Sequence, residues 1–342
     1  MISIILPIRN EANFIRQSLD AILAQETPMD QIEILVADGM STDGTREIVL
    51  EYQKNHPNLF LIDNPGKIVP TAMNLALQRA RGEIIIRVDG HCIIAPDYLS
   101  KCANYLKTGE FAGVGGPMTS IGETPLSETI ALAMSSSFGV GNSAFRTTSG
   151  RTMVVDTVPF PAYTRKIIDE VGFYDEELVR NQDDEYNYRI REHGGRLLLA
   201  EDIHSKYYSR GSLGKLWKQY FQYGFYKVRV LQKHPRQMSL RQFVPPAFVL
   251  GLAASLLLTL FTNRGFWMLL MVAGSYLLAN LAASINIAAK KGWRNLLLLP
   301  VAFAIIHISY GLGFLSGLVK FWNRWGDKIG KVAELRGNDA NL

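Results

Sequence analysis

The sequence predicts an open α/β domain followed by membrane-crossing segments, on three observations. Runs of β-branched and aliphatic residues at Ile2–Ile8, Ile32–Ala37 and Ile84–Ile86 alternate with segments of helical periodicity, the βαβ order of a largely parallel sheet. Acids and small residues close those runs, in Arg9-Asn10-Glu11, Asp38-Gly39 and Asp89-Gly90-His91. They stand at the carboxyl ends of strands, where open α/β sheets collect their ligands. From Phe243 to Val319 the chain turns mostly apolar.

That split is hidden in the average composition. The 342 residues are 48% hydrophobic and 20% charged, with a net charge of +5. Bases crowd the segments beside the apolar part, which favours anionic lipid over nucleic acid as a partner. Two cysteines, Cys92 and Cys102, make no disulfide framework and suit a reducing cytosol. The apolar start meets charge at Arg9 and lacks a basic n-region, so it is read as a strand and not as a signal peptide.

In order, strand Ile2–Ile8 is followed by a helix with Phe14, Ile15, Leu19, Ile22 and Leu23 at helical spacing. Strand Ile32–Ala37 closes on Asp38-Gly39-Met40-Ser41-Thr42-Asp43-Gly44-Thr45, and helix Arg46–Gln53 follows. An acid at such a strand end commonly accepts hydrogen bonds from a ribose or a base. The sequence has no G-x-G-x-x-G or Walker loop, which argues against a dinucleotide enzyme or a P-loop ATPase. Strand Leu59–Ile62 leads through Lys67, within reach of a phosphate, into helix Val69–Arg81.

The next strand ends in Asp89-Gly90-His91. Asp-x-His supplies one hard oxygen and one nitrogen, enough to hold Mn²⁺ or Mg²⁺ if substrate phosphate fills the other positions. A plain surface turn is the alternative. Helix Pro96–Leu106 and strand Phe111–Gly116 follow, with Gly115-Gly116-Pro117 admitting a ligand close to the backbone. Thr119–Arg151 is weakly periodic and rich in Ser, Gly and Thr, and reads as a substrate loop. Cys92 reads as a core residue, and His193 and His204 as surface or structural. Asn181-Gln182-Asp183-Asp184-Glu185 opens a helix. Three acids suit its dipole, but consecutive helical residues point about 100° apart. They cannot share one purpose, and one that points into a cleft can serve as a general base.

Leu213–Lys233 interleaves Trp217, Tyr220, Phe221, Tyr223, Phe225 and Tyr226 with Lys215, Lys218, Lys227, Arg229 and Lys233. Beside a membrane segment this reads as an interfacial helix before a single-strand binder. Phe243–Phe261, Phe266–Ala289 and Leu296–Val319 are each long enough to cross a bilayer at about 20 residues per span. Asn280, Ser284, Asn286, His307 and Tyr310 within them should face other helices or a substrate. The bases Lys290, Lys291 and Arg294 place their loop in the cytoplasm. Three full spans would then put the basic tail with Lys320, Arg324, Lys328, Lys331 and Arg336 outside, so the third stretch is re-entrant or the charge rule fails. The expected organisation is a catalytic domain at 1–212, an interfacial region at 213–240, membrane segments at 241–320 and a basic tail at 321–342.

Pro7 with Arg9-Asn10-Glu11, Asp38-Gly39-x-Ser41-x-Asp43-Gly44-Thr45, Asp89-x-His91 and Gln182-Asp183 occur in this order. Over about residues 1 to 235 this pattern resembles the family 2 glycosyltransferases, whose GT-A fold is a Rossmann-like mixed sheet that binds a nucleotide-diphospho-sugar. Asp156-Thr157-Val158-Pro159-Phe160, the Asn181–Asn187 stretch and the three-stretch tail look most like the bacterial succinoglycan-type membrane glucosyltransferases. Those extend a lipid-linked oligosaccharide.

The resemblance implies an inverting, metal-dependent hexosyltransferase of exopolysaccharide or cell-surface glycan synthesis. Pro7, Arg9, Glu11 and Asp38 would line the nucleotide pocket, with Lys67 and Asp89 also on the donor. Asp89 and His91 would hold the metal, and His91, standing where a second Asp is usual, tilts the choice to Mn²⁺ over Mg²⁺. Asp183 matches the catalytic base. Gln182 stands where a Glu is usual and, with Asp184, Gln219 and Tyr223, would sit near the acceptor. The implied partners are a UDP-sugar before a GDP-sugar, a polyprenyl-diphosphate-linked saccharide and membrane lipid, with no nucleic acid. The implied location is the inner or plasma membrane, multi-pass, with the catalytic domain cytoplasmic. Processive polysaccharide synthases carry Gln-x-x-Arg-Trp, whereas Gln219 here is followed by Tyr220-Phe221-Gln222-Tyr223, which favours one sugar per encounter. A polyprenyl-phosphate sugar synthase and, outside enzymes, an inactive nucleotide-sugar-binding scaffold are the remaining alternatives.

Overall fold

The computed structural model describes residues 1–141, 143–148, 150–209, 211–328 and 330; Lys331 and Arg336 of the expected basic tail lie outside them. Two compact units form. Of the described residues, one comprises Met1–Thr119, Thr148–Tyr207 and Gly330, the other Ser120–Thr147 and 208–328.

The strands are β1 (Ile2–Ile8), β2 (Ile32–Asp38), β3 (Leu59–Asp63), β4 (Ile84–Arg87), β5 (Cys92–Ile94), β6 (Gly113–Gly115), β7 (Met118–Ile121), β8 (Met153–Val155), β9 (Ala162–Thr164), β10 (Leu197–Leu199) and β11 (Ser205–Tyr208). The first unit is built on an eight-stranded sheet in the order β3-β2-β1-β4-β9-β6-β10-β8. Its first four strands are parallel. β9 runs antiparallel to β4 and β6, and β10 pairs parallel with β6 and antiparallel with β8. This is the mixed α/β sheet that the sequence predicts.

β1 and β2 are buried along their whole length, which is why they read as unbroken apolar runs and not as alternating strands. Helix Ile15–Leu23 turns Ile15, Leu19 and Ile22 inward, a stripe at helical spacing. Ile8 lies opposite Asp38 and Ile5 opposite Arg87. The chain therefore leaves β1, β2 and β4 at one edge of the sheet. At the other edge, Ser3 Oγ and the Arg81 N–H both donate to Glu33 at 2.5 Å, Arg81 Nε adds a bond at 3.0 Å, and the Gly82 N–H donates to Ser3 at 2.7 Å. Burial alone would raise the Glu33 carboxyl, but these bonds from Arg81 and Ser3 hold it below the ordinary range.

The second unit is helical. Pro125–Met134 opens on a Thr124–Ser127 capping box, and Leu213–Lys233, Val244–Thr259, Asn263–Lys291 and Leu299–Lys320 follow. Ile130, Met134, Leu216, Leu299, Phe303 and Ile306 form its main core. The segment read as a substrate loop thus supplies helices to this core; Ile130, Ala133 and Met134 recur at helical spacing amid Ser and Thr. Leu240–Thr259, Asn263–Lys291 and Leu299–Lys320 are long and apolar enough to cross a membrane. Of the polar residues inside them, Asn280 donates to the Pro300 carbonyl at 3.0 Å and His307 Nε2 meets the Phe138 carbonyl at 2.9 Å, whereas Ser284 bonds Asn280 of its own helix at 3.2 Å and Asn286 is exposed.

Candidate active site

The loops after β1 and β2 are fastened to one another. The Asn10 N–H donates to Ser41 Oγ at 2.8 Å, the Glu11 N–H to Thr45 Oγ1 at 2.9 Å and the Ala12 N–H to Asp43 at 3.1 Å. The Thr42 N–H returns a bond to Asn10 Oδ1 at 2.9 Å. Asn10 has a φ of 56°, in the left-handed region that Asn tolerates better than most residues. The motif residues Asn10, Ser41, Asp43 and Thr45 thereby brace two loops into one wall.

Asp38 is fully buried at the end of β2. Its carboxylate accepts from the Ser41 N–H at 3.0 Å, from the Ser41 hydroxyl, and from Arg46 Nη1 at 2.9 Å. Arg46 reaches Asp63 with its other arm at 2.8 Å. Pro7 is buried in β1, while Arg9 and Lys67 are exposed at the edge. Arg9 Nη1 lies 3.4 Å from the Lys67 carbonyl. Asp38 and Arg9 thus stand over the same edge, Asp38 fixed and Arg9 open.

Around β4 the polar groups are more closely coupled. Arg87, the last residue of the strand, is buried and donates from Nε to Asp89 Oδ1 at 2.8 Å. Its Nη1 lies 3.9 Å from Asp183. Burial works against the charge, but Asp89 and Asp183 more than offset it and hold the guanidinium firmly protonated. Arg87 escaped the sequence reading. Its signal was a cation ending an otherwise apolar run, Ile84-Ile85-Ile86-Arg87. Gly90 fits because a Cβ there would press on Ile8 Cγ2 at 2.8 Å and Glu11 Cγ at 3.1 Å. This close approach lets Glu11 reach His91, Oε1 to Nδ1, at 3.0 Å.

The Nε2 of His91 is buried without a hydrogen-bond partner, and the ring stands edge-on to Tyr207 at 4.8 Å. Burial disfavours the imidazolium, yet Tyr207, Glu11 and Asp89 push the group up to about 9. An imidazole held at Nδ1 by a carboxylate with Nε2 left over is the usual arrangement of a metal-binding histidine. Asp89 and His91 therefore fit a divalent cation whose other positions are filled by ligand oxygens. Among the described residues no three His, Cys, Asp or Glu side chains gather to hold an ion by themselves. Cys92 is buried and its thiol is pushed well up by burial, as expected of a core residue.

Helix Gln182–Glu192 divides its three acids. Glu185 faces inward and pairs with Arg189 at 2.7 Å, and Arg189 also donates to the Phe173 and Val171 carbonyls. Asp183 has its side chain 47% exposed and accepts from the Asp184 N–H at 3.1 Å. Asp184 is half-buried and Gln182 buried, with Gln182 Oε1 lacking a hydrogen-bond partner. The helix is anchored to the Asp156–Phe160 stretch through Asn187 Nδ2, which donates to Thr157 at 2.8 Å, and Asn187 also accepts from the Tyr163 hydroxyl at 2.6 Å. Tyr174 stacks on Tyr186 at 4.0 Å behind it.

The structure thus joins Asp89 and Asp183 through Arg87 and Glu11 to His91, and sets Pro7, Arg9, Asp38 and Lys67 along the same strand edge. Gln219 and Tyr223 lie in the second unit on helix Leu213–Lys233, bonded to each other at 3.0 Å.

The model for glycosyl transferase family 2 matches residues 3–172. The succinoglycan biosynthesis protein ExoA of Rhizobium meliloti is 31% identical over 94% of this chain and 96% of its own. The dolichyl N-acetyl-α-D-glucosaminyl phosphate 3-β-D-2,3-diacetamido-2,3-dideoxy-β-D-glucuronosyltransferase of Methanococcus voltae is 28% identical over 93% of this chain and 97% of its own. A mannosyltransferase from Pyrobaculum calidifontis, solved with GDP-mannose and Mn²⁺, superposes with a TM-score of 0.58 at 22% identity, covering 93% of this chain and 87% of that one. This last likeness is one of fold.

Proposed function

The chain belongs to glycosyl transferase family 2 and is a glycosyltransferase of GT-A fold; from that premise we propose an inverting, metal-dependent transfer of one hexose from a UDP-sugar to a membrane lipid-linked saccharide. The observation that carries the reading is Arg87. It bonds Asp89, two residues before His91, and stands 3.9 Å from the half-exposed Asp183. A diphosphate site and a candidate base thus share one corner of the sheet.

In this reading Asp38 and Arg9 hold the nucleoside, with Pro7, Glu11 and Lys67 along the same pocket. Asp89 and His91 would hold Mn²⁺, which would supply positive charge to offset the negative charge that develops on a leaving nucleoside diphosphate. Asp183 removes the proton of an acceptor hydroxyl, and that oxygen attacks the anomeric carbon from the face opposite the leaving group. Configuration inverts without a covalent intermediate. Gln182 and Asp184 flank the base, and Gln219 and Tyr223 serve the acceptor. The lipid-linked acceptor draws support from the name of the Methanococcus relative and from the apolar helices of this chain. A nucleotide-sugar donor is cytosolic, which places the catalytic unit on the cytoplasmic face.

The test is transfer by detergent-purified protein with UDP- or GDP-sugars, Mn²⁺ and a polyprenyl-diphosphate oligosaccharide, read by mass spectrometry. One added hexose is expected with a UDP-sugar, lost with chelator and lost in Asp183→Asn. A ladder of added sugars would favour a processive synthase. Unchanged transfer in Asp183→Asn would remove the assigned base.

A further inference from the structure

Two of the three apolar helices form an antiparallel hairpin. Phe248 stacks on Tyr276 at 4.4 Å, and Gly265 leaves no room for a Cβ against the backbone of Leu258. Leu256, Leu260, Phe261, Trp267 and Met271 near its loop are exposed, as lipid-facing residues are.

The third helix, Leu299–Lys320, follows a different path. Pro300 meets Asn280, His307 meets Tyr276, Gly311 packs on Pro245 and Val249, and Phe314 meets Phe243. From Pro300 to Phe314 the helix advances about 20 Å along its own axis. The hairpin residues it packs with lie at 243–249 and 276–288. They all belong to the half remote from the loop. The third helix crosses the base of the hairpin instead of running beside it to the far end.

It also has a companion. Gly224 of helix Leu213–Lys233 abuts the Tyr310 carbonyl, and Gly313 and Gly317 abut the carbonyls of Phe221 and Phe225. These three glycines bring the two backbones into direct contact. Beyond them Arg229, fully buried, donates to Gln232 at 2.5 Å and to the Arg324 and Asp327 carbonyls at 3.3 and 3.2 Å. Gln232 Nε2 donates to the Phe321 carbonyl at 2.7 Å. The two helices run side by side in the same direction and form one body. The companion carries Lys215, Lys218, Lys227, Arg229 and Lys233. Gly313 at Phe221 and Gly317 at Phe225 set Lys215 and Lys218 level with the middle of the third helix, so a third helix that spanned the bilayer would draw these two cations into hydrocarbon, where each is costly.

We propose that the chain crosses the membrane twice, through the hairpin alone, and that Leu299–Lys320 lies with Leu213–Lys233 at the membrane face from which the hairpin enters. Val301, Leu312 and Val319, exposed on the third helix, then rest against lipid of that leaflet. This arrangement also removes the conflict in charge. Lys290, Lys291, Arg294, Lys320, Arg324 and Lys328 all fall on one side, and the hairpin loop keeps Arg264, in keeping with the positive-inside tendency.

Single cysteines at exposed sites test this in the full-length protein, expressed in bacterial cells and treated with a membrane-impermeant maleimide before and after permeabilisation. Cys92 and Cys102 are buried and leave the background low. Lys54→Cys marks the catalytic unit, Phe261→Cys the hairpin loop and Gly326→Cys the chain after the third helix. Gly326→Cys is expected to label like Lys54→Cys, and Phe261→Cys in the opposite way. Labelling of Gly326→Cys from the side opposite to Lys54→Cys would establish a third span and overturn the proposal. Labelling of Phe261→Cys from the same side as Lys54→Cys would overturn it too, since the hairpin would not cross.

Discussion

Two acids at one sheet edge, Asp38 and Asp183, are held in opposite ways. Asp38 is fully buried, and Ser41 and Arg46 occupy its oxygens. Asp183 is 47% exposed, with a backbone N–H at 3.1 Å and the Arg87 guanidinium 3.9 Å away. A buried carboxylate already holding three hydrogen bonds is suited to shaping a pocket. One that is half in solvent, oriented by a backbone bond and a cation 3.9 Å away, is open to a substrate hydroxyl. On the proposed reading, that difference separates recognition from chemistry within one site.

The sharpest way to break this contrast is Asp183→Asn. Loss of a general base should lower kcat by about 10²–10⁴-fold, with the melting temperature unchanged; a large fall in melting temperature would make Asp183 a structural residue like Asp38. Arg87→Met should hit both properties. It leaves Asp89 beside a vacated buried cation site, so denaturant titration should show a loss of about 3 kcal/mol, with activity falling alongside. Asp38→Asn should cost about 1–2 kcal/mol through weakened bonds to Ser41 and Arg46, and raise KM for the nucleotide sugar more than it lowers kcat. An equal fall in kcat alone would move Asp38 into the chemistry.

Glu33 gives the smallest and cleanest reference, an acid at the opposite edge with no access to substrate. Its folded pKa lies below the unfolded value. The stabilisation is therefore complete above the ordinary carboxylate range, about pH 4.3, and is lost as pH falls through the lowered folded value. Glu33→Gln should cost about 1 kcal/mol at pH 7, and the gap to the parent should close in acid. A gap that persisted in acid strong enough to protonate the folded parent would mean that shape, not charge, holds this corner.

The parallel strands were legible in the sequence because a strand buried on both faces leaves an unbroken apolar run. The residues at their carboxyl ends were legible because Gly, Asp and His break such runs. Arg87 was not, since a single cation at a strand end carries no periodicity; only the positions of Asp89 and Asp183 in space give it meaning. The helix Pro125–Met134 was hidden for another reason. Ser and Thr lie around it and within it, and of its six buried residues two are Ser127 and Thr129, so the inward face carries too weak an apolar signal. The pairing of Leu213–Lys233 with Leu299–Lys320 depends on Gly224, Gly313 and Gly317, residues that a hydropathy reading counts as neutral.

The four bonds that fasten the β1 and β2 loops join residues only 31 to 34 positions apart. Further along the sheet, Ile84 must find Thr164 and Gly113 must find Leu197, and those searches close much longer loops. Contacts of short reach form first when other factors are equal. As the chain emerges from a ribosome, the nucleotide wall can assemble before the segment bearing Asp183 has been made. On the proposed reading, the pocket for the donor is then older, in the life of each molecule, than the base that serves the acceptor.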